Sequence, residues 1–342
     1  MFSRERKATV ILSACALLVA VLLVSVATGA VAIPLPAVAR ILISPLTGTD
    51  GATALPDTWY TIILRLRLPR ALLAMQVGLC LAMAGGTMQG LFKNPLADPY
   101  IIGVSSGAAV GAATAIILGL GWGSAGAIWL PLAAFAGALG ALVLVYLLAS
   151  SGGRLPVLNM LLAGIAVSTF LGAIVSLLMF FSGQQLQQVV FWLMGGFGGR
   201  NWLHVLVVLP YMLLGAAVVL WHARDLDALA MGEEQAFYMG VDVEKIKLRL
   251  LLAGSLLAAV AVAVSGLIGF VGLVVPHAIR LLGGPKHSFL LPTVAVAGAA
   301  YLAAADVVAR MVLAPTELPV GLVTALVGGP FFLYLLRRRR TA

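Results

Sequence analysis

The stretch ATVILSACALLVAVLLVSVATGAVAIPLPAVA, residues 8–39, runs from Lys7 to Arg40 without a single Asp, Glu, Lys or Arg. An α-helix of about 20 apolar residues crosses the hydrocarbon core of a bilayer, so a complete span fits inside this one window. The same emptiness recurs down the chain. No charge lies between Arg70 and Lys93, Asp98 and Arg154, Arg154 and Arg200, Arg200 and Arg224, or Arg249 and Arg280. Further gaps run from Lys286 to Asp306 and from Glu317 to Arg337. Each window holds one or two helices, whereas an outer-membrane barrel reads as short alternating segments.

Composition agrees with the windows. The 342 residues are 62% hydrophobic and 10% charged, against roughly 25% charged in a soluble domain, and the mean hydropathy is +1.10. These values exclude a soluble enzyme, a disordered chain and a secreted disulfide scaffold. Cys15 and Cys80 both sit in apolar runs and read as small packing residues. The fold class expected is all-α: a polytopic membrane protein of about ten transmembrane helices, one domain over residues 1–342.

Breakers and charges together place the spans at roughly 8–33, 70–92, 101–120, 127–150, 157–181, 203–223, 247–266, 269–283, 288–306 and 318–336. The eighth is short and interrupted by Gly269, Gly272 and Pro276. An even count puts both termini on one side. Arg4, Arg6 and Lys7 at one end and Arg337 to Arg340 at the other mark that side as the cytoplasm. Summed over the loops, fifteen Lys and Arg fall inside, Lys93, Arg154, Arg224, Arg280 and Lys286 among them, and six fall outside: Arg40, Arg65, Arg67, Arg70, Arg200 and Arg310. The net charge of +9 then reflects anionic lipid headgroups rather than nucleic acid. Ala30-Val31-Ala32 resembles a signal cleavage site, but the preceding apolar run exceeds the usual 7–15 residues, and the first helix reads as retained.

A proton- or sodium-driven transporter keeps ionisable groups at membrane depth, because a charge there is costly and is retained for coupling. The span interiors here carry essentially none; Asp306 and Glu317 stand at span ends, and Asp306 with Arg310 forms an i,i+4 pair. The chain has no GxxxxGK[ST], no HExxH and no GxSxG. His204, His222, His277 and His287 are scattered over different span ends, a poor catalytic or metal-binding set. Uphill movement of any solute therefore requires energy from another polypeptide.

Two segments carry further structure. Gly103, Gly107 and Gly111 recur every four residues and place a row of small residues on one helix face, where a neighbouring backbone packs closely. Residues 224–249 concentrate charge, with Arg224, Asp225, Asp227, Glu233, Glu234, Asp242, Glu244, Lys245, Lys247 and Arg249. Within them a short helix over 228–239 offers Leu229, Ala236, Phe237 and Met239 as apolar contacts, with Gly232 and Gly240 as punctuation. Such a segment is either a solvated loop or a docking site for a cytoplasmic partner.

Several runs in one order resemble the FecCD-type permease subunits of binding-protein-dependent ABC importers, which carry vitamin B12, haem and ferric siderophores. They are RLRLPR (65–70), GLFKNPLADPYIIGVSSGAAVGA (90–112), LLAGIAVS (161–168) and FWLMGGFGGRNW (191–202). GEEQAFYMGVDV (232–243), SGLIGFVGLVVPHAIRLLGG (265–284) and the run from Ala305 to Leu336 complete the set. The resemblance implies a type II permease that pairs with a second copy of itself in the inner membrane, the pathway lying between the two. It also implies two cytoplasmic ATPases, which hold ATP and Mg, and an extracytoplasmic substrate-binding protein; no cofactor and no catalytic residue belong to this chain.

Carried over by residue, Arg67, Arg70 and Arg310 match outer arginines that pair with glutamates of the binding protein, a task suited to a planar, permanently charged fork. The segment 224–247 becomes the coupling loop, with Gly232, Glu233, Glu234, Ala236, Phe237 and Gly240 entering the ATPase cleft. The cytoplasmic gate maps to Asn94 and Leu96 and to Val157 and Leu158, where this chain departs from the hydroxylated residues of the B12 permeases. The function expected is ATP-driven alternating access for a bulky metal chelate. The alternative is an ion-coupled secondary transporter acting alone.

Overall fold

The computed structural model describes residues 3–29, 31–47, 55–121, 123–152 and 155–340. Arg154, counted above with the cytoplasmic charges, and Ala30 of the cleavage-like tripeptide lie outside the described residues. Among those described, the chain forms helices α1 (Arg4–Ala27), α2 (Leu35–Thr47), α3 (Asp57–Tyr60), α4 (Leu68–Leu91), α5 (Val104–Ile117), α6 (Gly123–Ala149), α7 (Val157–Phe181) and α8 (Leu186–Met194). After them come α9 (Trp202–Trp221), α10 (Ala223–Met231), α11 (Glu233–Tyr238), α12 (Val243–Ser265), α13 (Val271–Gly283), α14 (His287–Met311) and α15 (Val320–Arg340). A π-helical turn over Thr61–Arg67 joins α3 to α4 without a break.

Seven of these runs are long and apolar enough to cross a membrane: α1, the continuous 57–91 segment, α6, α7, α9, α12 and α14. The other three expected spans are shorter, α5 at 14 residues and α13 at 13, while α15 has an apolar part from Val320 to Tyr334. The expected third span, 101–120, is instead a 3-10 turn at Pro99–Ile102 followed by α5, because Gly103 adopts φ +82°, a left-handed conformation that an α-helix cannot contain. The eighth is not interrupted as expected. It begins after Gly269, at Val271, and holds both Gly272 and Pro276 within one helix. Three helices fall where loops were expected, α2, α3 and α8.

The centre of the bundle is α4, whose most hydrophobic window is 83% buried, with α12 at 78% and α14 at 67%. Helices α1 and α7 are at 17% and form the rim. Small residues set this arrangement. Lipid tails are as apolar as leucine, so helices in a membrane associate through close backbone contact. Gly78 of α4 lies on Gly298 of α14, and Gly85 of α4 on Gly272 of α13; a Cβ at either would overlap the facing carbonyl. Between α5 and α6, Gly107 faces Gly137, and Gly111 faces Ala133. Gly103 of the expected row serves the turn instead, with ordinary contacts to Val167 and Ala141.

Polar side chains inside the bundle return their hydrogen bonds to it. Gln89 Nε2 donates to the Gly272 carbonyl at 2.9 Å and its Oε1 accepts from Arg280, so α4 and α13 are joined by polar contacts one turn below the glycine contact. Replacing Gly85 by Ala is expected to cost about 1–3 kcal/mol, the range for overpacking a filled core, read as a lowered melting temperature of the purified chain in detergent. The same change at Gly140, where a Cβ meets nothing within 4 Å, is the neutral control.

Candidate functional site

One end of the bundle gathers charge. Arg67, Arg70 and Arg310 were expected in loops flanking the spans, but Arg67 closes the π turn, Arg70 lies in the first turn of α4, and Arg310 is in the last turn of α14. The continuous helix from Asp57 carries the two N-terminal arginines inward. Arg67 is 7% exposed and Arg310 8%.

Both arginines close the C-terminus of α1. Arg67 donates to the carbonyls of Val26 (3.0 Å), Ala27 (2.7 Å) and Val31. Arg310 donates to the carbonyl and hydroxyl of Ser25 (3.1 and 3.0 Å) and to the Thr28 carbonyl (3.2 Å). The last carbonyls of a helix have no partner within it and carry the negative end of its dipole, so two guanidinium groups satisfy them in both respects.

Arg70 takes the two carboxylates. Asp306, fully buried, meets Arg70 Nη2 at 2.9 Å and Arg310 Nε at 3.1 Å. Glu317, 46% exposed, meets Arg70 Nη1 at 2.9 Å. The i,i+4 pair read from the sequence is therefore one side of a four-residue network across α4, α14 and the loop before α15. Glu317 lies 247 positions from Arg70, and no local pattern announces that pairing.

At the opposite end, the expected helix over 228–239 is two helices. Gly232 at φ +144° breaks it into α10 and α11, a backbone conformation that side chains rarely adopt. Leu229 and Ala236 are buried, as apolar contacts should be, but Phe237 and Met239 point out, 68% and 53% exposed, beside Tyr238 at 78% and Met231 at 69%. Beneath them Lys247 of α12 is 4% exposed and pairs with Glu244 at 2.8 Å and Glu233 at 3.3 Å. Glu233 is thus engaged within the chain, while Glu234 is exposed. Gly240 (φ +84°) ends the turn, and Asp242 caps α12 by accepting from the Lys245 N–H at 3.3 Å.

The pair is anchored to the bundle by Asp227 of α10, whose Oδ1 accepts from the backbone N–H of His287 at 2.6 Å and lies 2.9 Å from its ring Nδ1. Burial pushes the Asp227 carboxyl up, but the hydrogen bonds and charge of His287 and the Ser288 N–H outweigh it and hold it below the ordinary carboxylate value. The stabilisation is accordingly present above that ordinary value and lost as pH falls through the depressed one. Of the gate residues, Val157 joins a hydrophobic cluster with Phe92 and Ala97, so the 92–97 turn and the start of α7 pack together. Asn94 Oδ1 accepts from the Leu96 N–H at 2.9 Å. Leu96 and Leu158 remain 50% and 66% exposed.

The profile of the FecCD transport family matches residues 17–338. The chain is 50% identical over 284 residues to the cobalamin import system permease BtuC of Halobacterium salinarum, covering 83% of this chain and 75% of that one. It is 46% identical over 294 residues to the hemin transport system permease HmuU of Yersinia pestis, covering 84% and 86%. Among solved structures, an ABC transporter assigned to the metal-chelate type in an inward-facing conformation superposes with TM-score 0.83 at 33% identity, covering 96% of this chain and 99% of that one.

Proposed function

Because the chain belongs to the FecCD transport family, we propose that two copies of it line a pathway for cobalamin, haem or a ferric siderophore and move it by ATP-driven alternating access. At the coarser level the chain is a multi-pass membrane permease subunit of an ABC importer of the metal-chelate type, with ATP hydrolysis in a separate ATPase. Family membership implies a binding protein as the other partner. Both termini lie in the cytoplasm of the proposed arrangement, and two ATPases sit beneath the pair.

The observation that carries this reading is the tip of α10 and α11. Met231, Phe237, Tyr238 and Met239 are exposed on a segment flanked by Glu233, Glu234, Asp242 and Lys245, too charged to lie among lipid tails. A cluster of exposed aromatic and methionine side chains on a charged surface marks a protein contact. Lys247 ties the tip rigidly to α12, so a push on it is delivered to a central helix of the bundle. Asp306 is fully buried, and two arginines neutralise it, which counts against its use as a proton or sodium carrier.

On the outer face, the binding protein docks through the arginine cluster, and Arg70 is the member whose carboxylate partner is exchangeable, since Glu317 is half exposed. An incoming glutamate replaces Glu317 there; Arg67 and Arg310 hold the platform in shape. Glu317→Gln is expected to tighten binding-protein docking by about two- to fivefold at low salt, the worth of one exposed ion pair, with the gain fading as salt is raised. An unchanged affinity would remove Arg70 from the docking site. The reading as a whole is tested in vesicles containing this chain, its ATPase and its binding protein. Uptake of cobalamin or hemin should require ATP and survive an uncoupler; uptake that follows an ion gradient without the ATPase would refute it.

A further inference from the structure

Charged side chains run without a gap from the tip of α11 to the start of α7. Glu233, in the first turn of α11, lies 3.3 Å from Lys247 Nζ. Lys247 is 4% exposed, and its Nζ also lies 2.8 Å from Glu244 Oε1, one turn earlier on α12. The other oxygen, Glu244 Oε2, accepts from the backbone N–H of Leu155 at 2.8 Å. One carboxylate thus joins α12 to a loop 89 positions away. Pairing the buried ammonium explains the two glutamates; it does not call for the further bond from Glu244 to that loop.

Leu155 is placed to move the residues expected at the gate. It precedes Pro156, the N-cap of α7, so Val157 and Leu158 follow at once. Its side chain is 4% exposed and packs in one cluster with Phe92, Ala97 and Leu251. Val157 packs on the same cluster, and Asn94 and Leu96 lie between Phe92 and Ala97. Pro156 stiffens the join, since it fixes its own φ and confines the residue before it to extended backbone. A displacement of Leu155 is therefore passed to the start of α7 rather than absorbed. Helix α7 itself packs against α5, α6 and the Pro99–Ile102 turn, and the Glu244 bond is a polar tie from its start to α12.

We propose that Glu244 is a positioning residue for the gate. Held by Lys247 on one side and by the Leu155 N–H on the other, it turns a movement of α11 into a movement of Val157 and Leu158. Hydrogen bonds to a charged acceptor are about twice as strong as neutral ones, and a connected network of them carries coupling between separate sites. The inference rests on the permease reading, in which α11 meets the ATPase, and names the residues that carry the stroke inward.

The test uses this chain with its ATPase in lipid nanodiscs, in a Cys15→Ser background; Cys80 is fully buried. Leu158→Cys reports on the gate and Met231→Cys on the tip, both positions being more than 60% exposed. For each reporter, the factor by which ATP changes the rate of maleimide labelling is measured. Lys247→Met and Glu244→Ala should each reduce the gate factor about fivefold or more, the low end of coupling between distant sites, while the tip factor is kept. Arg249→Gln removes an exposed charge on α12 outside the network and should change neither. If Glu244→Ala fails to fold, Glu244→Gln takes its place: the amide turns one carboxylate oxygen into a donor, so one of the two contacts is lost.

Loss at the gate with the tip still responding supports the assignment. A role in stability alone would lower the melting temperature and leave both factors of the folded protein intact, which overturns it. Loss at both reporters overturns it too, because the variants then act on docking and not on transmission. If neither reporter responds to ATP in the chain with Lys247 and Glu244 in place, the permease reading fails and takes this inference with it.

Discussion

Asp306→Ala is expected to destabilise the chain by about 3–5 kcal/mol, the penalty for stranding buried charge when one member of a pair is removed. Asp306 is fully buried, 2.9 Å from Arg70 and 3.1 Å from Arg310, so its loss leaves two guanidinium groups facing each other across α4 and α14. Arg310 also loses the contact that aims it at Ser25 and Thr28, and the end of α1 loosens with it. The measurement is thermal unfolding in detergent, with proteolysis of the outer face as a local readout. A variant in which Asp306, Arg70 and Arg310 all become apolar should recover much of the loss, because removing a whole ionic group is far cheaper than breaking it. Full stability of Asp306→Ala alone would mean that the network does not hold the outer face together.

The second large effect is at the other end of the molecule. Replacing Phe237 and Tyr238 together by Ala should leave the melting temperature nearly unchanged, since both side chains are more than two-thirds exposed. ATP-driven uptake, however, should fall at least tenfold. Aromatic anchors at the centre of an interface contribute about 2 kcal/mol or more each on truncation, and about 1.4 kcal/mol is a factor of ten. ATP hydrolysis by the partner should continue, no longer linked to transport. Ala236→Pro tests the same joint from inside: Ala236 is fully buried and its N–H donates to the Gly232 carbonyl at 3.0 Å, a bond proline cannot make. Normal coupling in both variants would show that α11 does not receive the ATPase.

The membrane-spanning class and most span positions were readable because they depend on composition over windows of about 20 residues, and lipid enforces that rule on every span alike. Three short helices escaped the reading, α3 as the run-in to α4. Helix α2 starts at Leu35, between prolines at 34 and 36, and α8 follows a Ser-Gly-Gln-Gln stretch at 182–185; both are too short for a span-length window. The break at Gly232 was also visible as a glycine, but the sequence does not say whether a glycine adopts positive φ or merely packs.

The arginines show the boundary best. Their number, their place at the ends of apolar runs and their resemblance to a docking motif were legible from the chain by itself, since charge placement relative to apolar runs is a one-dimensional property. What each guanidinium touches was not. Arg67 and Arg310 close a helix end about 40 and 280 positions away, and Arg70 joins carboxylates on elements near the other terminus. Such partners are chosen by which helices the glycine contacts of α4 bring within reach, and only the folded bundle determines that.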